Sequence, residues 1–142
     1  MRLAPAFLAT TFLAATAALA AVSDVHAETP ADFLHAYEAA ARQGNPGFPG
    51  FSVQRGEVFF KTTHGREWSC ASCHTPNPTA GGKHAKTDKP IAPLAPAANA
   101  ERFTRPDKVE KWFRRNCNDV LGRECTPLEK GDVLTYLNSL QK

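Results

Sequence analysis

Five residues constrain this chain more than any others: Cys70-Ala71-Ser72-Cys73-His74. Two thiols spaced by two residues, with an imidazole directly after the second, fit a single haem, whose vinyl groups take the thiols while the His turns to the iron. A fold that carries this motif has to enclose a large, flat, apolar group. Two other chemistries use C-x-x-C pairs. A thioredoxin-like dithiol, which Trp68 before Cys70 would suit, sits at a strand-to-helix junction of a βαβ unit, whereas the flanks here read as helix and loop. A zinc site needs further Cys or His at regular spacing, and the remaining Cys117 and Cys125 stand eight positions apart. Neither is followed by His, so the sequence provides for one covalent haem c.

The first 27 residues read differently from the rest. Arg2 precedes an apolar run from Leu3 to Val22, and Val25-His26-Ala27 puts small residues where a signal peptidase cuts. Residues 1–27 are therefore expected to be a secretory signal cleaved after about Ala27, delivering one domain of residues 28–142 to the periplasm. The run nearly reaches the roughly 20 residues of a membrane span, but Thr residues interrupt it. Four cysteines suit an oxidising compartment. Two of them would go to the haem, and Cys117 and Cys125, on either side of Gly122, are placed to close a short loop. With 17 Lys and Arg against 14 Asp and Glu the formal charge is +3, and loss of Arg2 and Asp24 leaves it unchanged. So weak an excess argues against a nucleic-acid partner. A domain this small has a limited core of its own, which a buried cofactor helps to fill.

The pattern along the chain predicts an all-α domain. Phe33, Leu34, Tyr37, Ala40 and Ala41 recur at helical spacing behind the cap signal Thr29-Pro30, and residues 44–50 break that helix with Gly and Pro. A second helix is expected from Ser52 to Thr62, with Gly56 allowing another helix close. Residues Thr75 to Ala100 form a long Pro-rich loop without strand signals, and a loop of that length suggests a role at the haem edge. A third helix is expected from a Thr104 cap to about Asn118. A fourth starts at the capping box Thr126-Pro127-Leu128-Glu129 and carries Leu128, Val133, Leu134, Leu137 and Leu140.

Methionine, the usual second axial ligand of electron-transfer cytochromes c, is absent after Met1. Besides His74, the expected mature domain has His35, His64 and His84. His35 reads as a surface residue, His64 lies only six positions before Cys70, and His84 sits in the long loop, from which it would have to swing across the haem. Asn116 is a further candidate, because Val109, Trp112, Phe113 and Asn116 share one helical face and a polar amide on an apolar stripe needs a partner. Iron is one such partner. A helix-terminal cap or a backbone hydrogen bond is the other, and pattern alone weighs the two about equally.

At these residues a resemblance emerges. Ile91-Ala92-Pro93-Leu94-Ala95-Pro96, Arg102-Phe103-Thr104, Val109-Glu110-Lys111-Trp112 and Arg115-Asn116-Cys117-Asn118, followed by Gly122-Arg123, Cys125-Thr126-Pro127 and Glu129-Lys130, stand in an order and spacing that closely resembles the Sphaeroides haem protein (SHP) family of oxygen-binding class I c-type cytochromes. The resemblance runs from about Gly56 to the end of the chain. It implies a class I cytochrome c fold around one haem, a high-spin iron held by His74 and Asn116, and a disulfide between Cys117 and Cys125. It further implies that the Asn leaves when the reduced iron takes O2, NO or a similar ligand, with dihaem cytochromes c and membrane b-type cytochromes as electron donors. Similarity to class I cytochromes at large implies that the carbonyl of Pro93, or else Pro90, accepts the Nδ1 proton of His74.

Leu94, Trp112 and Phe113 are then expected to line a largely apolar distal side. Lys83, Lys86, Arg114 and Arg115 are expected near the haem edge, where a solvated surface role is the simpler account of any single one. The function expected is electron transfer coupled to binding of a small ligand. The alternative is a small haem enzyme that reduces O2, NO or hydroxylamine with electrons from a dihaem donor.

Overall fold

The protein is described from a computed structural model, which covers residues 27–141. The expected signal segment lies outside the described residues except for Ala27. Among the described residues, no helix is long and apolar enough to cross a membrane.

Five helices and one two-residue ladder make up the domain. Helix α1 (Pro30–Gly44) starts at a capping box in which Thr29 and Asp32 satisfy each other's backbone N–H groups, and it buries Phe33, Tyr37 and Ala41 at four-residue intervals. Helix α2 (Val53–Lys61), capped by Ser52, buries Gly56 and Phe60. Short α3 (Cys70–His74) is the attachment motif itself. Helix α4 spans Pro106–Leu121 and α5 spans Pro127–Ser139, the latter behind the expected Thr126/Glu129 capping box.

α5 is the centre of the fold. It buries Gly131, Asp132, Val133, Leu134, Tyr136 and Leu137 nearly all round, because α1 and α2 both pack on it. The α2–α5 crossing is tight at Gly56, where a Cβ would stand 2.0 Å from the carbonyl oxygen of Asp132. Asp132 is itself buried and accepts from Ser52 N at 2.7 Å and from Arg55 Nε at 2.8 Å. A buried carboxylate is tolerable there because Arg55 Nη2, at 2.9 Å, adds a third donor and supplies the balancing charge. Leu128 and Leu140, expected in the core, are only half-buried at the two ends of α5.

Two boundaries differ from expectation. α4 begins after Arg105 rather than Thr104, since Pro106 takes the first helical position, and Thr104 Oγ1 instead donates to the Glu101 carbonyl at 2.9 Å. The same helix runs past Asn118 to Leu121, where Gly122 at φ 75° closes it in the left-handed conformation. The long loop also holds a ladder the sequence reading lacks: β1 (Gly82–Lys83) pairs antiparallel with β2 (Pro90–Ile91). Two-residue strands leave no periodicity to read.

Cys117 and Cys125 are both buried and are joined in the structure, with Cα atoms 5.5 Å apart, tying the C-terminal turn of α4 to the segment before α5. Replacing both by Ser is expected to lower the unfolding free energy by about 2.5 kcal/mol, the loop-closure entropy of a short covalent loop. The midpoint of urea unfolding checks this.

Candidate haem-attachment site

The attachment turn is built locally. Ser69, buried at the start of α3, donates its N–H to Ser72 Oγ at 3.0 Å, and Thr75 at φ 63° ends the helix after His74. In one helical turn Cys70 and Cys73 stand at i and i+3 and His74 at i+4 from Cys70, so all three side chains share one side. Both thiols are free and half-buried.

Electrostatics separates the possible chemistries. Burial pushes the Cys70 thiol up to about 11, the reverse of what a dithiol oxidoreductase needs. Among the described residues, no group of three or more His, Cys, Asp or Glu is arranged to hold a metal ion. Burial, with Arg102 nearby adding to it, pushes His74 down to about 4. The imidazole is therefore neutral at ordinary pH and keeps a lone pair free for a metal, while the adjacent Cys70 thiol stays protonated. That donor set fits a haem c.

The loop after α3 closes on this turn. Gly82 lies so close that a Cβ would meet the Cys73 carbonyl oxygen at 2.0 Å, and Ala85 N–H reaches Cys73 Sγ at 3.3 Å. Further on, Leu94 N and Ala95 N both bond to the Pro78 carbonyl, which anchors the 91–95 stretch with Ala95 fully buried. The carbonyl of Pro93 accepts from Arg102 Nε at 2.9 Å and from Asn99 Nδ2 at 3.4 Å, not from His74. Those two donors tie the Pro93 carbonyl to the 99–102 turn. Pro90 instead belongs to β2, paired with Lys83.

Arg102 was left without a role by the sequence reading. Its Nη2 donates to the Ala92 carbonyl at 2.7 Å, so both its hydrogen bonds go to neutral carbonyls. Burial lowers its pKa, and no carboxylate pairs with it among the described residues. A half-buried cation without a counter-ion asks for an anion from elsewhere.

The other histidines are engaged locally. His35 is exposed on α1, His64 Nε2 lies 2.9 Å from the Phe59 carbonyl with its ring on Phe59, and His84 Nδ1 takes the Lys86 N–H at the tip of the β1–β2 hairpin. Asn116 differs from all of them. It is half-buried, five residues short of the helix end, and its amide makes no hydrogen bond among the described residues. The capping account of Asn116 therefore fails, because Gly122 performs that task.

Its neighbours divide. Phe113 is half-buried and meets Tyr37 edge-on at 5.9 Å, and Leu94 packs against the core cluster. Trp112 is 49% exposed, with the Arg115 guanidinium 5.1 Å over its ring. Lys86 sits 4.6 Å over the Trp68 ring beside the attachment turn. Two surface cavities, of about 470 and 310 Å³, flank the start of α5 and touch none of these residues.

A family profile described as a domain of unknown function (DUF1924) matches residues 46–137. The cytochrome c-type protein SHP of Cereibacter sphaeroides is 43% identical over 132 residues, covering 90% of this chain and 97% of that protein. The chain belongs to the SHP family of c-type cytochromes. Cytochrome c'' of Methylophilus methylotrophus is 45% identical over 108 residues, 73% of this chain and 75% of its own length. Its oxidized crystal structure superposes with a TM-score of 0.73 over 80% of this chain and 95% of that one, at 41% identity. The structure of oxidized SHP, described as an oxygen binding cytochrome c, superposes with a TM-score of 0.69 at 41% identity over 79% of this chain and 97% of that one. As an SHP-family member the chain has the all-α cytochrome c fold, and the family's covalently bound haem c is the group that the α3 donor set fits.

Proposed function

We propose that this SHP-family cytochrome is an exported monohaem electron carrier whose iron is held by His74 and Asn116, and that it binds a diatomic molecule when Asn116 withdraws. The observation that carries this reading is the unbonded amide of Asn116 on the otherwise apolar inner face of α4. Supporting it are the relative described as an oxygen binding cytochrome c and the cytochrome c'' solution structure, described as giving insights into haem-ligand detachment.

Cys70 and Cys73 would hold the haem through thioethers and His74 would bind on the proximal side. When bound, the haem would supply a one-electron iron centre able to take a small ligand. Arg102 provides the counter-charge for the haem's carboxylates. Asn116 offers a neutral amide, a far weaker ligand than imidazole, so it yields to a diatomic competitor and then has an N–H free to donate to it. Leu94 and Phe113, both packed on the core cluster, would give the Asn116 side apolar surface, with the exposed Trp112 at its rim. Cys117, next to Asn116, restrains the helix through its link to Cys125. O2 and NO are the ligands proposed, and a dihaem cytochrome c and a membrane b-type cytochrome are the donors proposed.

The optical spectra of the ferric and ferrous protein, with and without carbon monoxide, test this. High-spin iron that takes up carbon monoxide supports it; low-spin iron inert to the gas overturns it. Steady consumption of O2, NO or hydroxylamine under a reducing donor would move the assignment to the enzyme reading. Removing the charge of Arg102 with Arg102→Leu is expected to stabilise the ferric state, lowering the midpoint potential by on the order of 1 kcal/mol, ~40 mV for one electron. Potentiometric titration checks it.

A further inference from the structure

Helix α4 is attached to the domain in an unusual way. Among the described residues its backbone does not pack closely on α1, α2 or α5, which are joined to one another through α5. Side chains make the connection. Glu110 is the hub: its Oε1 accepts from Tyr37 Oη of α1 at 2.7 Å, and its Oε2 accepts from Lys130 Nζ of α5 at 2.6 Å. The Lys130 ammonium also lies 5.5 Å from the Tyr37 ring centre and 5.8 Å from that of Phe113, one turn along α4 from Glu110. Burial raises the Glu110 carboxyl, but the bonds from Lys130 and Tyr37 outweigh it and hold the group below the ordinary carboxylate value, so Glu110 is ionised at neutral pH.

The second tie is Cys117, covalently joined to Cys125. Glu110 and Cys117 are seven residues apart and so lie on one stripe of the helix, with Phe113 between them. A helix held at one point can turn about that point in any direction; a second point on the same stripe leaves only a turn about the line joining them, and Val109, buried in the core cluster off that line, opposes it. Asn116 lies one residue, about 100°, round from that stripe, on the flank where roll changes its reach most.

We propose that Glu110 is a positioning residue: with Tyr37 and Lys130 it fixes the roll of α4, and thereby sets how firmly Asn116 holds the iron against an incoming diatomic molecule. The inference rests on Asn116 as the displaceable ligand. Glu110 touches neither cofactor nor ligand, and it acts only through the helix.

The test is a double-mutant cycle on the reduced holoprotein, read by carbon monoxide titration and by the optical spectrum. Glu110→Gln keeps an acceptor for Tyr37 but loses the charge, and should raise carbon monoxide affinity about tenfold, with the spectrum shifted toward five-coordinate iron. In an Asn116→Ala background the same change should add nothing, because the ligand it positions is gone. Tyr37→Phe, which removes a single oxygen, carries the same expectation if Glu110→Gln yields no holoprotein. Unchanged affinity in both variants while Asn116→Ala has its effect overturns the proposal and leaves the Asn116 assignment standing. An equal rise in both backgrounds overturns it as well, since loosening would then act on the domain at large. An Asn116→Ala protein identical to wild type removes the ligand assignment and the latch together.

Discussion

Asn116→Ala is expected to raise the affinity of the reduced protein for carbon monoxide by on the order of 10- to 100-fold. The amide is an internal competitor, so the apparent dissociation constant scales inversely with the fraction of molecules in which it has let go. An amide bound in most molecules therefore hides most of the intrinsic affinity. The substitution removes a half-buried group that makes no hydrogen bond among the described residues, so the fold should tolerate it. Asn116→His is the informative counterpart. Imidazole competes far more strongly, and that variant should be low-spin and bind the gas less well than wild type. If both variants titrate like the parent, the iron is not ligated from α4.

Cys70→Ala with Cys73→Ala should have the larger structural effect. Without thioethers the haem has only the His74 bond and apolar contact to retain it, and it should be lost on acidified-solvent extraction that leaves the parent coloured. Loss of the haem should remove most of the roughly 5–15 kcal/mol that keeps a small domain folded. The physical reason lies in α4, whose Val109 belongs to the core cluster and whose Phe113 packs against it, although its backbone stands apart from the other helices. Thermal unfolding followed by far-ultraviolet circular dichroism reports the outcome. A cooperative transition at the parent's temperature in haem-free protein would refute this account.

The helices were legible because their signals are local. Thr29 with Asp32 and Thr126 with Glu129 are caps written within four residues, and the apolar intervals of α1 and α5 lie within one segment. The attachment motif is equally local. What could not be read depends on pairs distant in sequence. Tyr37 finds Glu110 across 73 positions and Lys130 finds it across 20, so no window of the sequence holds the network. Arg102 looked like part of a recurring motif, and only the fold reveals that its bonds go to the Ala92 and Pro93 carbonyls and to no acid. The donors at the Pro93 carbonyl, Asn99 and Arg102, likewise come from six and nine residues further along. The start of α4 was missed by one residue, because Thr104 is a good cap by type while Pro106 decided the helical register.

The central position of α5 also bears on how the chain matures. Both major helix packings, α1 on α5 and α2 on α5, require residues from the last part of the chain. Contacts this distant in sequence form late, and of the five helices α5 is the one synthesised after the others. Until then the segment holding Cys70 and Cys73 has no completed core to close around it. The attachment segment thus stays open for as long as α5 is unpacked, and the docking of α5 closes the core beside it.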